Sequence, residues 1–284
     1  MSKFKIRKGI EHALGGTGKS LVDITFLGIG GAFDVDEGTA SALLNTRAGK
    51  VFLIDCGYTA YSKLRKSNLI GDIDIVFITH THEDHINGLS TLVYERYFIH
   101  GKKTQIECTP EVAERVKGYL DICGHPEEQY EISTEKYLYI EEDAISVTKI
   151  DTTKHHWPVN DFPNSGLIFH FDTGNDSEDY AVLIYSGDIN VPITSLMDPS
   201  DYSFVYNNPE NVFIFHDMTS LVHEKNPHTN FELLVPVQKV FNNLFTYHHD
   251  EKQVALINKS NPEMALTSLI IQGENFVIEE LRGI

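Results

Sequence analysis

The chain is poor in cysteine, in tryptophan and in positive charge. Its 284 residues hold three cysteines, one tryptophan, and 23 Lys+Arg against 41 Asp+Glu, a formal net charge of −18 at pH 7. Cys56, Cys108 and Cys123 are odd in number and have neither paired nor metal-type spacing, which argues against a disulfide framework and suits reduced, buried thiols in a cytosol. The shortage of positive charge disfavours long contact with polyanions, so extended nucleic acid is a poor partner. A small anionic ligand stays compatible if a metal ion supplies local positive charge. Long apolar runs are missing too. Lys3, Lys5, Arg7 and Lys8 are not followed by the apolar stretch of a signal peptide, and no segment has the length of a membrane span, so a cytoplasmic protein with no membrane partner is expected.

The chain does have enough apolar side chain, 41% of residues, to bury a core. Strand patterns cover Leu21–Leu27, Ala42–Asn45, Val51–Asp55 and Asp72–Thr79, each bounded by Gly, Asp or Lys. Helical spacing comes next over Ile86–Tyr97 and over Pro110–Cys123, where Val112, Val116, Leu120 and Ile122 are expected on one face. The second half repeats the theme: strands at Ile145–Ile150, Leu167–Phe171, Tyr180–Tyr185 and Val212–His216, a helix over Asn230–Phe245, and a strand at Val254–Ile257. Asp172–Asp179 reads as an exposed turn, and no Pro/Ser linker divides the chain. This is an α/β pattern, read as a single domain of two similar halves over 21–284, with residues 1–20 an N-terminal hairpin or extension.

The stretch Ala13-Leu14-Gly15-Gly16-Thr17-Gly18-Lys19-Ser20 matches a nucleotide-triphosphate loop in letters. That loop requires a helix directly after it, so that the helix N-terminus holds the phosphates. Here the next residues, Leu21–Leu27, form a β-branched strand pattern instead. The segment therefore reads as a glycine-rich connection.

The most informative run is Thr79-His80-Thr81-His82-Glu83-Asp84-His85, between a buried strand and a helix. Three imidazoles and two carboxylates in six residues are costly together unless they meet a cation. His80 and His82, at alternate positions of an extended segment, can point the same way. Asp84 and His85 begin the helix and can turn towards a second ion. Imidazole and carboxylate donors with few thiols suit Zn²⁺, with Mn²⁺ or Fe as alternatives.

This run resembles the HxHxDH signature of the metallo-β-lactamase superfamily, matched by His80, His82, Asp84 and His85. The resemblance implies an αββα sandwich and covers most of the chain. The turn Leu27-Gly28-Ile29-Gly30-Gly31-Ala32 is similar to the family's early glycine-rich turn, and Asp55 to the buried carboxylate beneath its site. Asp188, in Ser186-Gly187-Asp188, is similar to the metal-bridging aspartate. A further histidine ligand is implied before it, and His155 and His156 both qualify.

Within the superfamily the chain is most similar to the ribonuclease Z-like phosphodiesterase branch. His216-Asp217-Met218-Thr219 resembles its strand-end acidic motif and His228 its helix-opening histidine, which implies Asp217 as an orienting carboxylate and His228 as general acid. There are two departures. The last metal ligand of the branch, a histidine ending the strand after that helix, corresponds here to Asn258, so Asn258 or water completes the second site. The long basic arm of tRNA-processing members is also absent, and the residues between Gly166 and Gly187 are acidic.

The resemblance implies hydrolysis by metal-activated hydroxide, with Asp84 orienting the nucleophile and His228 protonating the departing sugar oxygen. Two zinc ions are expected. A compact phosphodiester suits the acidic chain better than tRNA, which points to a cyclic mononucleotide. The anti-Pycsar phosphodiesterases, which resemble this branch, are the first subfamily to compare. A ribonuclease Z-like RNA endonuclease and a lactonase or thiolesterase of the same fold are the alternatives. A homodimer is expected from the branch. His248-His249 is read as an exposed helix-to-strand loop, His100 and His125 as loop residues, and Tyr94, Tyr97 and Phe98 as core or dimer contacts.

Overall fold

The computed structural model describes residues 4–9, 20–34, 36–156, 162–172, 180–200, 202–220, 226–249, 253, 255, 259 and 275–280. The chain divides into two compact units, Lys8–Lys136 with Gln272–Val277, and Tyr137–Ile271 with Met1–Arg7 and Ile278–Ile284. The glycine-rich 10–19 stretch and the strand expected at Val254–Ile257 lie outside the described residues, as do 173–179 of the expected turn.

One eight-stranded sheet contains β1 (Phe4–Gly9), β2 (Ser20–Gly28), β3 (Ser41–Thr46), β4 (Val51–Ile54), β5 (Ile75–Phe77), β6 (Thr104–Glu107), β7 (Tyr130–Ser133) and β14 (Asn275–Glu280), in the order β1-β14-β2-β3-β4-β5-β6-β7, and β2 to β7 carry the first unit. β1 therefore neighbours β14. Antiparallel pairing joins β2 to β3 and β3 to β4, and parallel pairing runs from β4 through β7. β2, β4, β5, β6 and β7 thus end at one edge. α1 (Tyr58–Lys66), α2 (Glu83–Ile86), α3 (Leu89–Phe98) and α4 (Pro110–Ile122) connect the parallel strands.

Leu53, Val76 and Ile106 from the sheet meet Leu64, Leu92, Val116 and Leu120 from the helices in one core. Each such side chain contributes about 1.5–3 kcal/mol by leaving water. On α4, Val112, Val116 and Leu120 are buried but Ile122 is 90% exposed, because two residues past Leu120 is half a turn away. The helix expected from Ile86 is broken by Gly88, whose backbone lies against Cys56 O and Gly57 O with no room for a Cβ.

In the second unit, β8 (Tyr137–Ile140), β9 (Ile145–Asp151), β10 (Ser165–Asp172), β11 (Tyr180–Tyr185), β12 (Val212–Asp217) and β13 (Asn243–Tyr247) lie in the order β13-β12-β11-β10-β9-β8. β11, β12 and β13 are parallel, while β9–β10 and β10–β11 are antiparallel. β9, β11, β12 and β13 therefore point the same way and end at a common edge. Every residue of β11, YAVLIY, is buried, as expected for a strand covered on both faces. α6 (Phe231–Val240) is shorter than the helix read from Asn230–Phe245, and α5 (Ser203–Asn207) is a single turn. Asn243–Tyr247 instead pairs in parallel with β12, since NLFTY is rich in the aromatic and β-branched residues that fit a sheet.

Candidate functional site

In the first unit the chemistry gathers where β4 and β5 end. Asp55, the residue after β4, adopts a left-handed backbone with φ 57°. Its N–H donates to Phe77 O, and Ser41 Oγ donates to its carbonyl at 2.8 Å. This fixes a fully buried carboxylate beneath the metal-type loop. Thr79 N–H donates to Asp55 Oδ1 at 2.8 Å, while Thr79 Oγ1 and His85 Nδ1 donate to Oδ2 at 2.7 and 2.8 Å. Burial raises the Asp55 carboxyl above its ordinary range, against the lowering pull of His85 and Thr79. The neighbouring Cys56 thiol is pushed far up by burial and then by Asp55, which makes it an inert core group.

This network sets the imidazole tautomers. With Nδ1–H given to Asp55, His85 keeps its lone pair on Nε2. Thr79 Oγ1 has given its proton to Asp55 and so accepts from His80 Nδ1 at 3.0 Å, leaving a lone pair on His80 Nε2. One carboxylate thus orients two histidines, directly and through a hydroxyl, as second-layer groups do around metals. His80 Nε2 lies 3.1 Å from His82 Nδ1, and His85 Nε2 lies 3.4 Å from Asp84 Oδ2. α2 supplies the geometry for the second pair, since it begins at Glu83 and carries Asp84 and His85 in its first turn.

In the second unit, Asp188 comes after β11, Asp217 ends β12, His248 comes directly after β13, and His156 lies beyond β9. The parallel strand directions bring these ends together. His156 Nδ1 donates to Asp188 O at 2.9 Å, and Asn164 Nδ2 donates to the same carbonyl. The His156 ring is buried, with its Nε2 left as the lone-pair nitrogen. His155 is half-exposed, and its carbonyl accepts from Asn190 N–H.

His228 Nδ1 donates to Asp217 Oδ2 at 2.9 Å and lies 3.8 Å from Asp188 Oδ2. Ile189 N–H also donates to Asp217 Oδ2. His216, the first residue of the strand-end motif, is occupied on both nitrogens: Nδ1 donates to Asp217 O and Nε2 accepts from Ile193 N–H. It holds the chain in place and offers no ligand atom.

His248 and His249 are buried, contrary to the exposed loop expected from sequence. His248 sits at φ 65°, with Nε2 3.5 Å from Asp188 Oδ2 and its ring 4.1 Å from that of His228. His249 Nε2 is instead within hydrogen-bond distance of Thr246 O at 3.0 Å. Asn258 lies outside the described residues. Among the described residues, the one directly after the strand that succeeds α6 is His248. The sequence carries this signal as NLFTYHH, a sheet-forming run ending in histidine like VFIFHD, but helical periodicity also runs across it.

Other expectations divide. His125 is a buried loop residue between Ser90 Oγ at 2.8 Å and Gln129 Oε1 at 2.7 Å. Phe98 is exposed and Tyr94 and Tyr97 are half-buried, so Phe98 is not core. Cys56 and Cys108 are buried but Cys123 is only partly so.

The donor set fits a metal such as zinc. Two ligands on a tetrahedral ion at 2.0–2.1 Å are about 3.3 Å apart. The His80–His82, Asp84–His85 and Asp188–His248 atom pairs, at 3.1, 3.4 and 3.5 Å, bracket that spacing. Asp188, Asp217 and His228 also bring one donor atom each within 4.8 Å of one another.

The chain is similar to known proteins in sequence and in fold. The chain is 44% identical over 73 residues to the zinc phosphodiesterase ELAC protein 1 of Bos taurus, covering 25% of this chain and 20% of that protein. It is 35% identical over 85 residues to the anti-Pycsar protein Apyc1 of Bacillus phage BSP38, covering 29% of this chain and 33% of the relative. The matches thus span about a fifth to a third of these relatives' lengths. In structure it resembles the metallo-β-lactamase fold protein YhfI from Bacillus subtilis, with TM-score 0.66, 15% identity, and coverage of 89% of this chain and 98% of that one. The fold is the metallo-β-lactamase fold. The family model of anti-Pycsar protein Apyc1 matches residues 22–272, and the chain belongs to that family.

Proposed function

We propose that this protein is a metal-dependent phosphodiesterase that hydrolyses a small phosphodiester, with a cyclic mononucleotide of the cCMP, cUMP, cAMP or cGMP type as its substrate. The observation that carries this reading is the Asp217–His228 pair, a buried carboxylate 2.9 Å from an imidazole nitrogen beside Asp188. Cleaving a phosphodiester requires a proton for the departing sugar oxygen, and a histidine held by a carboxylate supplies one.

In this reading zinc is held by His80, His82, Asp84 and His85 of the first unit and by His156, Asp188 and His248 of the second. When bound, the ions supply a nucleophile at neutral pH and positive charge against the phosphodiester oxygens. The chain's own groups do the rest. Asp55 holds His80 and His85 in the tautomers that present Nε2. Asp84 orients the attacking water. His228, its Nδ1–H donated to Asp217, gives its Nε2 proton to the leaving oxygen as that P–O bond breaks, while the attacking water forms the new P–O bond and releases one proton to solvent.

The −18 balance favours a singly charged substrate over a long polyanion. A second reading, an RNA endonuclease, is favoured by the likeness to ribonuclease Z, 32% identical over 103 residues in one relative. The test is a hydrolysis panel of cyclic mononucleotides, bis-p-nitrophenyl phosphate, a tRNA precursor, a lactone and a thiolester, with and without chelator. Chelator-sensitive turnover of cyclic nucleotides supports the first reading, and cleavage of the tRNA precursor in preference to them supports the second. Activity confined to the lactone or thiolester removes both. The reading includes a homodimer acting in the cytoplasm, immune evasion being the role the family's name suggests. Light scattering on the purified protein measures the assembly. Among the described residues no helix is long and apolar enough to cross a membrane.

A further inference from the structure

Phe33 is 98% exposed, more than any other large apolar side chain among the described residues. A single exposed phenylalanine is ordinary on a protein surface. The setting of this one is unusual. It stands in the turn between β2 and β3, at the edge where β4 and β5 deliver Asp55 and His80. The base of that turn is tied down. Gly30 N–H donates to Gly38 O at 2.7 Å, and Ala40 N–H donates to Gly30 O at 3.1 Å. Asp34 Oδ1 accepts from the N–H groups of Asp36 and Glu37 at 3.1 and 2.9 Å, and Thr39 N–H donates to Thr59 Oγ1 at 2.8 Å.

The turn also touches the metal-type loop through one glycine. A Cβ on Gly57 would overlap both Asp84 O and Thr39 Oγ1, so the turn's last residue and Asp84 are both packed against the same stretch of backbone. The aromatic ring therefore stands, fully open to solvent, on a held turn whose base packs against Gly57, the residue that also meets the Asp84 carbonyl.

We propose that Phe33 is a stacking platform for the base of a nucleotide phosphodiester, a positioning residue for the substrate of the reaction proposed above. The neighbouring charges choose the occupant. Asp34, Asp36 and Glu37 lie within four residues of Phe33, and three carboxylates repel a phosphate backbone. They leave an uncharged planar ring as the group that gains from Phe33. Stacking on an aromatic side chain is tolerant of base identity because every base has a π-face. Phe33 thus confers a preference for nucleotides over base-free phosphodiesters, with weak discrimination among bases.

The substrate part of this inference rests on the phosphodiesterase reading, and the test separates the two. Kinetics of Phe33→Ala, Phe33→Tyr and the native protein are compared on a cyclic mononucleotide and on glycerol 1,2-cyclic phosphate, which has no base. The expected result is a rise in KM of about 5- to 100-fold for the nucleotide in Phe33→Ala, at least five times the change seen on the base-free substrate, with Phe33→Tyr restoring it. An equal effect on both substrates, or none on either, overturns the proposal. So does a change of oligomeric state in Phe33→Ala as the sole effect, which would place Phe33 in a contact between copies.

A second measurement needs no turnover. In a Phe33→Trp variant whose one native tryptophan, Trp157, is replaced by Phe, nucleoside monophosphates quench the fluorescence of the introduced indole and glycerol phosphate does not. If the native protein hydrolyses no phosphodiester yet this quenching is seen, the function reading fails and the stacking platform stands. If hydrolysis is seen without quenching, the reverse holds.

Discussion

His228 Nδ1 lies 2.9 Å from Asp217 Oδ2, and the carboxylate that receives it is fully buried while the imidazole is 20% exposed. One end of the pair is fixed and the other reaches solvent. Removing the proton donor should therefore hurt chemistry more than architecture. His228→Ala should lower kcat by about 10²- to 10⁴-fold with metal content unchanged by elemental analysis. A loss of metal in step with activity would instead make His228 a ligand.

Asp55 touches no solvent and meets three donors, two from Thr79 and one from His85. Asp55→Ala should weaken metal binding by about 10- to 100-fold, the cost usual for removing an orienting partner. Competition with a chelating dye measures it. Unchanged metal affinity would mean that His80 and His85 hold their tautomers without the carboxylate.

The ligand assignments differ between neighbours in sequence, so paired variants decide them. His248→Ala should lose about one metal equivalent per chain, while Asn258→Ala retains the native content. His156→Ala should weaken metal binding, and His155→Ala should not, because only the His156 ring is buried and held through Nδ1 by Asp188 O. Metal-to-protein ratios after dialysis give the answer, and the opposite pattern in either pair reverses that assignment.

Gly88 allows α3 to start against the backbone of Cys56 and Gly57, where a Cβ would come within 2.5 Å of Gly57 O. Gly88→Ala should destabilise the fold by about 1–3 kcal/mol, the range for overpacking a close contact. Urea unfolding reads this directly, and a variant as stable as the native chain would show that the backbone yields there at little cost.

His170 lies on β10 between the rings of Tyr180 and Phe204, with centroids 5.1 and 5.4 Å away. Burial lowers its imidazole pKa from the usual value, with Asp172 pulling weakly the other way. As pH falls below about 6.5 the unfolded chain takes up this proton first. The stability contributed by neutral His170 is thus present above that pH and is lost as pH falls towards the folded value. The gap in urea midpoint between the native protein and His170→Gln should therefore narrow from pH 7.5 to pH 5.5. A gap that does not move with pH would mean His170 titrates alike in both states.

Much of the site was legible in the chain because it is local. The run from Thr79 to His85 carries four candidate ligands on one strand end and one helix turn, so their positions follow from local backbone, while Asp55 orients the His80 and His85 rings. VFIFHD was legible as a strand end and His228 through the family resemblance, although His228 stands three residues before α6 begins at Phe231. His248 was not, because FELLVPVQKVF and NLFTY both place apolar residues at spacings a helix accepts. Only parallel pairing of Asn243–Tyr247 with β12 turns the second stretch into a strand and sets His248 beside Asp188.

The sequence by itself determined the fold class, the metal-type loop and the acidic character that disfavours long polyanions, since each is encoded by residue types at short spacing. The tertiary structure decided what depends on partners far along the chain. It buried the His156 ring against a carbonyl 32 residues away while leaving His155 half-exposed, and it set the tautomers of His80 and His85 through Asp55. A hydrogen bond between distant residues exists only after the chain has folded, so no local pattern could carry it.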